Sequence, residues 1–194
     1  MRLVPFPELI RRYFSGESFV VFDTETTGLN TFHDDIIEIA GATWQLGQPV
    51  GTFCELIRVN PNRITSGAWN VHQIPLEQIQ SARPAREVLA DFMAFAGSRT
   101  LIAHNARFDY DMLNYNLLRN GLRPYQNDQT VCTCTYAREQ LIPAKLSDLA
   151  SHYSINLTDI KLHRASYDVE VLTGILNKMM KQHEPAELQY SLIL

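Results

Sequence analysis

The 194-residue chain is 45% hydrophobic and 20% charged, ordinary for a soluble globular protein and long enough for one domain with a sizeable core. A net charge of −4 argues against a protein that coats duplex DNA, which needs a strong basic surplus. No stretch approaches the roughly 20 apolar residues of a membrane span, and the N-terminus lacks a signal-peptide core, so a cytoplasmic location with no membrane association is expected. In chain order, residues 1–17 form a helical lead-in, with a helix over 7–14 ended by Ser15-Gly16. Three strands follow over 18–22, 36–45 and 51–59, joined by short turns, which predicts an antiparallel meander. After Pro61 the pattern turns helical, and Val88, Leu89, Phe92, Met93 and Phe95 give 84–96 a helical period. A short strand is expected at 100–103, a helix at 107–120 stopped by Gly121, and a strand at 130–134. Ser147 is read as the cap of a helix reaching Tyr153, and the last strong helix covers 165–180. Strands first, then alternating helices and strands, predict an α/β fold with a mixed sheet flanked by helices over 18–180 and a tail over 181–194. Cys132 and Cys134 are taken as small apolar groups on one face of a strand rather than half a zinc site, because no second Cys/His pair lies near them.

The segment Asp23-Thr24-Glu25-Thr26-Thr27-Gly28-Leu29 directly follows the first apolar strand. Strand residues alternate faces, so Asp23 and Glu25 project to one side, about 7 Å apart. Two adjacent carboxylates repel unless protons or cations neutralise them, and a hard divalent ion is the obvious remedy. A two-metal site needs further oxygen ligands and a group to activate water. Two segments offer both: His104-Asn105-Ala106-Arg107-Phe108-Asp109 and His163-Arg164-Ala165-Ser166-Tyr167-Asp168. Each places an acid early in a helix, where the helix dipole favours an anion.

These three motifs, in this order, resemble those of the DEDDh (DnaQ-like) 3′–5′ exonucleases of the ribonuclease H-like superfamily. Smaller matches are Val131-Cys132-Thr133-Cys134, Lys145-Leu146-Ser147-Asp148-Leu149 and Val71-His72-Gln73-Ile74. The resemblance implies a ribonuclease H-like mixed sheet and two Mg²⁺ or Mn²⁺ ions. Asp23, Glu25 and Asp168 would bind the ion that holds the attacking water; Asp23 would bridge to a second, with Asp109 acting there directly or through water. His163 would be the general base, a role that histidine side chains commonly fill. Thr26 would meet the terminal 3′-hydroxyl, and Leu29 would wedge against the last bases.

The implied substrate is the 3′ end of single-stranded or frayed DNA, with release of nucleoside 5′-monophosphates. RNA trimming is the alternative, and a noncatalytic nucleic-acid-binding or polymerase-adaptor module is the third reading. His72 either contacts substrate or packs locally; the usual Gly and Thr after it are Gln73 and Pro75 here. His104 and Asn105 are expected to orient the helix carrying Asp109, and Asp111 to point elsewhere. Arg164 and Lys161, which flank the base, would meet phosphate or stay solvated. The terminal Gln189-Tyr190-Ser191-Leu192-Ile193-Leu194 resembles the short Gln-x-x-Leu peptides that bind bacterial sliding clamps.

Overall fold

A computed structural model describes residues 1–157 and 163–184. Lys161 and the hexapeptide 189–194 lie outside the described residues. Among those described, the strands are β1 (Arg2–Leu3), β2 (Phe19–Thr26), β3 (Ile36–Gln45), β4 (Gln48–Arg58), β5 (Arg83–Pro84), β6 (Leu101–Ala103) and β7 (Gln129–Cys132). The helices are α1 (Phe6–Phe14), α2 (Ser66–His72), α3 (Leu76–Ser81), α4 (Ala85–Ala96), α5 (Ala106–Arg119), α6 (Thr133–Glu139), α7 (Leu146–His152) and α8 (Ala165–Gln182), with a 3-10 turn at Pro61–Arg63. No helix among the described residues is long and apolar enough to cross a membrane.

The strands form one sheet in the order β1-β7-β6-β2-β3-β4-β5. The β2–β3 and β3–β4 pairs are antiparallel, as the short turns between them require. The β2–β6, β6–β7, β1–β7 and β4–β5 pairs are parallel, reached by crossovers. The expected mixed sheet with a meander is therefore present, flanked by helices on both faces.

Alternation along β2 divides the core in two. Phe19 and Val21 pack with Leu9, Tyr13, Ala40, Ala42, Trp44 and the apolar side of α8. Val20 and Phe22 point the other way, against α4 and α5 through Leu89, Phe92, Met112 and Leu113. Continuing the period puts Asp23 and Glu25 on the α8 face and Thr24 on the α5 face. Opposite Asp23 in the register stands Ala40, whose short side chain leaves room, and opposite Glu25 stands Glu38.

Several elements differ from their sequence-based expectation. The first strand does not stop at Phe22 but runs through Asp23, Glu25 and Thr26, because β3 pairs with it along that whole length. The lead-in contributes β1, paired with β7, and α1, which buries Phe6, Leu9 and Tyr13. The expected strand over 130–134 ends at Cys132; Thr133 begins α6, with Cys132 Sγ accepting from the Thr135 N–H at 3.4 Å. Cys132 and Cys134 thus do not share a strand face, although Cys134 is buried. Ser147 is not a cap: α7 starts at Leu146, and its N-cap, Lys145, makes no side-chain cap bond. Helix α8 continues two residues past Met180, to Gln182.

Candidate active site

The centre lies at the end of β2, where helices arrive from both faces. Asp23 and Glu25 come from β2, and Asp168 comes from the first turn of α8. Carboxylate oxygens of these three residues all lie within 4.8 Å of one another. Glu25 and Asp168 are buried and Asp23 is half-buried.

Asp109 approaches from the other face, in the first turn of α5. Its Oδ1 accepts from Thr24 Oγ1 at 2.8 Å, so the β2 residue between Asp23 and Glu25 anchors it. Asp109 is thus beside the three-carboxylate cluster rather than within it.

Burial and mutual repulsion raise the pKa of every member. Burial pushes Glu25 up to about 8, with Asp168 and Glu38 adding to it. Asp109 rises to about 7, again mainly through burial, with the Thr24 hydroxyl pulling against it. Asp23 is pushed well above the carboxylate range by burial and then by Asp109 and Asp168. Asp168 is also raised by burial, although the His163 main-chain N–H offsets part of this. Charged together, these groups are unstable without a cation.

Asp168 carries the sharper sign of one. Its Oδ2 accepts from the His163 N–H at 3.1 Å, while its buried Oδ1 has no partner among the described residues. An unpaired buried carboxylate oxygen costs free energy unless something binds it. Hard oxygen donors alone line the cluster, so the set fits Mg²⁺ or Mn²⁺ rather than a thiolate- or imidazole-seeking metal.

His163 is exposed and has a positive φ of 69°, a conformation uncommon for a residue with a side chain. Its peptide N–H bond to Asp168 holds it at the rim, immediately before α8. Arg164 is partly exposed and paired within the protein. Its guanidinium grips the buried Glu38, with Nη2 to Oε1 at 2.6 Å and Nε to Oε2 at 3.1 Å. Neither reading of Arg164 from sequence named this partner.

A cavity of about 360 Å³ adjoins the acids, lined in part by Glu25, Thr26, Leu29, His72, Val71 and Phe108. Leu29 is 87% exposed at its mouth. Thr26 Oγ1 donates to the Gly28 carbonyl, so its side chain shapes the turn. Gly28 has no alternative in this turn, because a Cβ there would collide with the Asp34 carboxylate. His72 both packs and faces the cavity: Nδ1 accepts from the Ile74 N–H at 2.9 Å, and buried Nε2 has no partner among the described residues. Burial lowers its pKa, favouring a neutral ring with the proton on Nε2.

His104 and Asn105 support the helix that carries Asp109. The His104 ring bridges Thr133 Oγ1 at 2.9 Å and the Ala144 carbonyl at 2.8 Å, and Asn105 takes a left-handed turn at the start of α5. Asp111 points away and pairs with Arg107. Sequence reasoning missed Glu38, Thr24 and Phe108. Glu38 had a visible signal, a lone acid inside the apolar run Ile36-Ile37-Glu38-Ile39-Ala40.

A mixed sheet with acids converging on its central strand from two flanking helices defines the ribonuclease H-like class of nuclease folds. Residues 20–176 match the RNase_T exonuclease family. DNA polymerase III PolC-type of Lactococcus lactis is 36% identical over 163 residues, covering 82% of this chain and 10% of that protein. The Oceanobacillus iheyensis protein of the same name is 32% identical over 181 residues, covering 92% of this chain and 12% of its own length. The chain thus spans about a tenth of the length of these curated relatives. Among solved structures, E. coli Exonuclease I in complex with a dT13 oligonucleotide has a TM-score of 0.76 at 17% identity, covering 90% of this chain and 43% of that one. Exonuclease I from Methylocaldum szegediense has a TM-score of 0.71 at 17% identity, covering 86% of this chain and 41% of that one. The chain belongs to the exonuclease family, in the DnaQ-like 3′–5′ branch of the ribonuclease H-like superfamily.

Proposed function

We propose that this chain hydrolyses the terminal phosphodiester at the 3′ end of single-stranded or frayed DNA, releasing nucleoside 5′-monophosphates. The observation that carries the reading is the three-carboxylate cluster with its unpartnered Asp168 oxygen, set beside a cavity of nucleoside size. Asp23, Glu25 and Asp168 would hold one divalent ion, and Asp23 with Asp109 a second. Bound there, such ions supply positive charge to a phosphoryl group in an in-line displacement.

The remaining work falls to the chain's own side chains. The cavity takes the last nucleoside, with Thr26 at its sugar and Leu29 against its base. His72, on the wall of the same cavity, would offer its unpartnered Nε2 as a donor. His163, at the rim, accepts a proton from the attacking water. The new bond joins the water oxygen to phosphorus; the bond to the 3′-oxygen of the preceding nucleotide breaks, and that oxygen takes a proton from solvent, leaving a shortened strand with a free 3′-hydroxyl. DNA is favoured over RNA because the similar proteins are named as DNA polymerases and because Exonuclease I, of the same fold, is solved with a DNA oligonucleotide. The clamp reading of residues 189–194 belongs to this proposal as a partner, tested by clamp binding before and after their deletion; equal binding in both forms, or none in either, refutes it.

The deciding experiment is nucleotide release from labelled single strands, DNA and RNA in parallel, in Mg²⁺ or EDTA. Release from DNA that needs Mg²⁺ and vanishes in Asp23→Ala is expected. Faster release from RNA would reassign the substrate. Activity that survives EDTA or Asp23→Ala would overturn the mechanism, and none on either polymer would favour an adaptor.

A further inference from the structure

The turn between β2 and β3 carries an aromatic ring for which the terminal-nucleotide site has no use. Phe32 is 61% exposed, three residues beyond Leu29. Its ring rests on Tyr115 of α5, with centroids 4.3 Å apart and planes 37° apart. An exposed large aromatic on a loose loop would fold inward or move. This one is fixed from several sides.

The Phe32 N–H donates to Asn30 Oδ1 at 3.1 Å, and the Asn30 N–H donates to Asp34 Oδ2 at 2.8 Å. Arg119 Nη1 donates to the Phe32 carbonyl at 2.7 Å and, at 3.3 Å, to that of Thr31. Its other arm holds the Asp34 carbonyl. The turn is therefore braced to hold a ring in water, three residues from the exposed Leu29 at the mouth of the cavity.

Position says what it meets. Phe108, which lines the cavity with Leu29, and Tyr115 lie seven residues apart, on one face of α5 and separated by a rise of about 10 Å. Phe32, packed on Tyr115, therefore stands about two helical turns along that face from the cavity wall. Charge along this path is compatible with a phosphate backbone. Asp34 is occupied by the turn's own bonds, and Asp35 is paired with Arg63 at 2.6 Å and Arg119 at 3.4 Å. Asp111 is paired with Arg107, which is itself 71% exposed and lies one turn nearer the site. A ring that offers one flat face, with no donors or acceptors to read a base, suits stacking that tolerates any sequence.

We propose that Phe32, backed by Tyr115, is a stacking platform for a base upstream of the scissile linkage in single-stranded nucleic acid. This rests on the exonuclease reading, and it makes the enzyme sensitive to strand length rather than to the terminal nucleotide alone.

The test uses the full chain and a ten-nucleotide single strand carrying 2-aminopurine at successive positions from its 3′ end, with Ca²⁺ in place of Mg²⁺. Quenching peaks at one position upstream of the terminal nucleotide. Phe32→Ala removes that peak and weakens ten-mer binding about tenfold, the scale of one base–aromatic stack; Phe32→Trp keeps both. In Mg²⁺, the ratio of kcat/KM for the ten-mer to that for a dinucleotide falls about tenfold in Phe32→Ala. A quench profile and ten-mer affinity that are the same in Phe32→Ala overturn the proposal. An equal loss on dinucleotide and ten-mer also overturns it, since Phe32 would then serve the terminal pocket. Wild-type protein that cleaves neither substrate yet shows the Phe32-dependent quench sinks the exonuclease reading and leaves the platform standing.

Discussion

Glu25 and Glu38 face each other across the β2–β3 ladder, yet among the described residues only Glu38 is ion-paired. Glu38 is 1% exposed and accepts from Arg164 and from the Ala165 N–H at 2.9 Å. It thereby fixes the start of α8, and with it the segment bearing His163 and Asp168. Among the described residues, the charges acting on Glu25 are Asp168, Glu38 and Asp109, with Arg164 offsetting them weakly. The strand pair holds one carboxylate satisfied by the protein and one with no ion-pair partner among the described residues.

Removing Arg164 would leave a buried charge unpaired among acids. Arg164→Ala is expected to destabilise the protein by about 2–4 kcal/mol, below the full cost of breaking a wholly buried pair because the guanidinium is partly exposed. Glu38→Gln keeps the shape and an acceptor for Ala165, so it should cost less than Arg164→Ala. Urea unfolding of both variants checks the order; a loss under about 1 kcal/mol for Arg164→Ala would mean the pair does not hold the start of α8.

Without divalent ions the protein should lose stability as pH rises. Glu25 and Asp109 have folded pKa values of about 8 and about 7, and Asp23 and Asp168 are also raised, against about 4 for an unfolded carboxylate. Between about pH 4 and 8 the native state then binds more protons than the unfolded one, so stability is full at the acid end of that window and lost through it. In EDTA, Tm is expected to fall by roughly 5–10 °C from pH 5.5 to 8.5, and Mg²⁺ or Mn²⁺ should restore more at pH 8.5 than at pH 5.5. A Tm in EDTA that rises over this range would contradict the raised values.

Neutralising one acid separates stability from function. Asp168→Asn removes a repelling charge and keeps an oxygen that can accept from His163. Its Tm in EDTA at pH 8 should exceed that of the wild type. The shift produced by Mn²⁺ should largely vanish, and nucleotide release should fall at least about 10³-fold, the scale of losing a principal electrostatic contributor to catalysis. Thermal melts with and without Mn²⁺, run beside the release assay, check this; an undiminished Mn²⁺ shift would remove Asp168 from the ion site.

Long periodic elements were legible in the sequence. The meander, α4, α5 and α8 each bury a regular set of side chains, which writes the period into the chain. Helices α2, α3 and α6 are six or seven residues long and show no full period, and β1 is two residues held by its partner β7. Asp23, Glu25, Asp109 and Asp168 were legible because each sits at a strand end or helix start within a compact motif. Arg164 was not, because its partner Glu38 is 126 residues away and becomes its neighbour only when α8 packs on β3. The anchoring of Asp109 by Thr24 was hidden for the same reason, the two being 85 positions apart.

His163 tests whether the rim residue acts on the proton or only supports the helix. Its structural contribution runs through its main chain, since the bond to Asp168 comes from the peptide N–H. Truncating the exposed ring should therefore leave the fold and the ion site in place. His163→Ala is expected to lower kcat by about 10²–10⁴, the range for a lost general base, with KM and the Mn²⁺-induced Tm shift near wild type. The alkaline variant separates the two roles further: raising the pH should recover part of the lost rate, because hydroxide replaces the missing base. A variant that loses the Mn²⁺ shift together with activity would show that His163 acts by placing Asp168, and the proton transfer would then have to be assigned elsewhere.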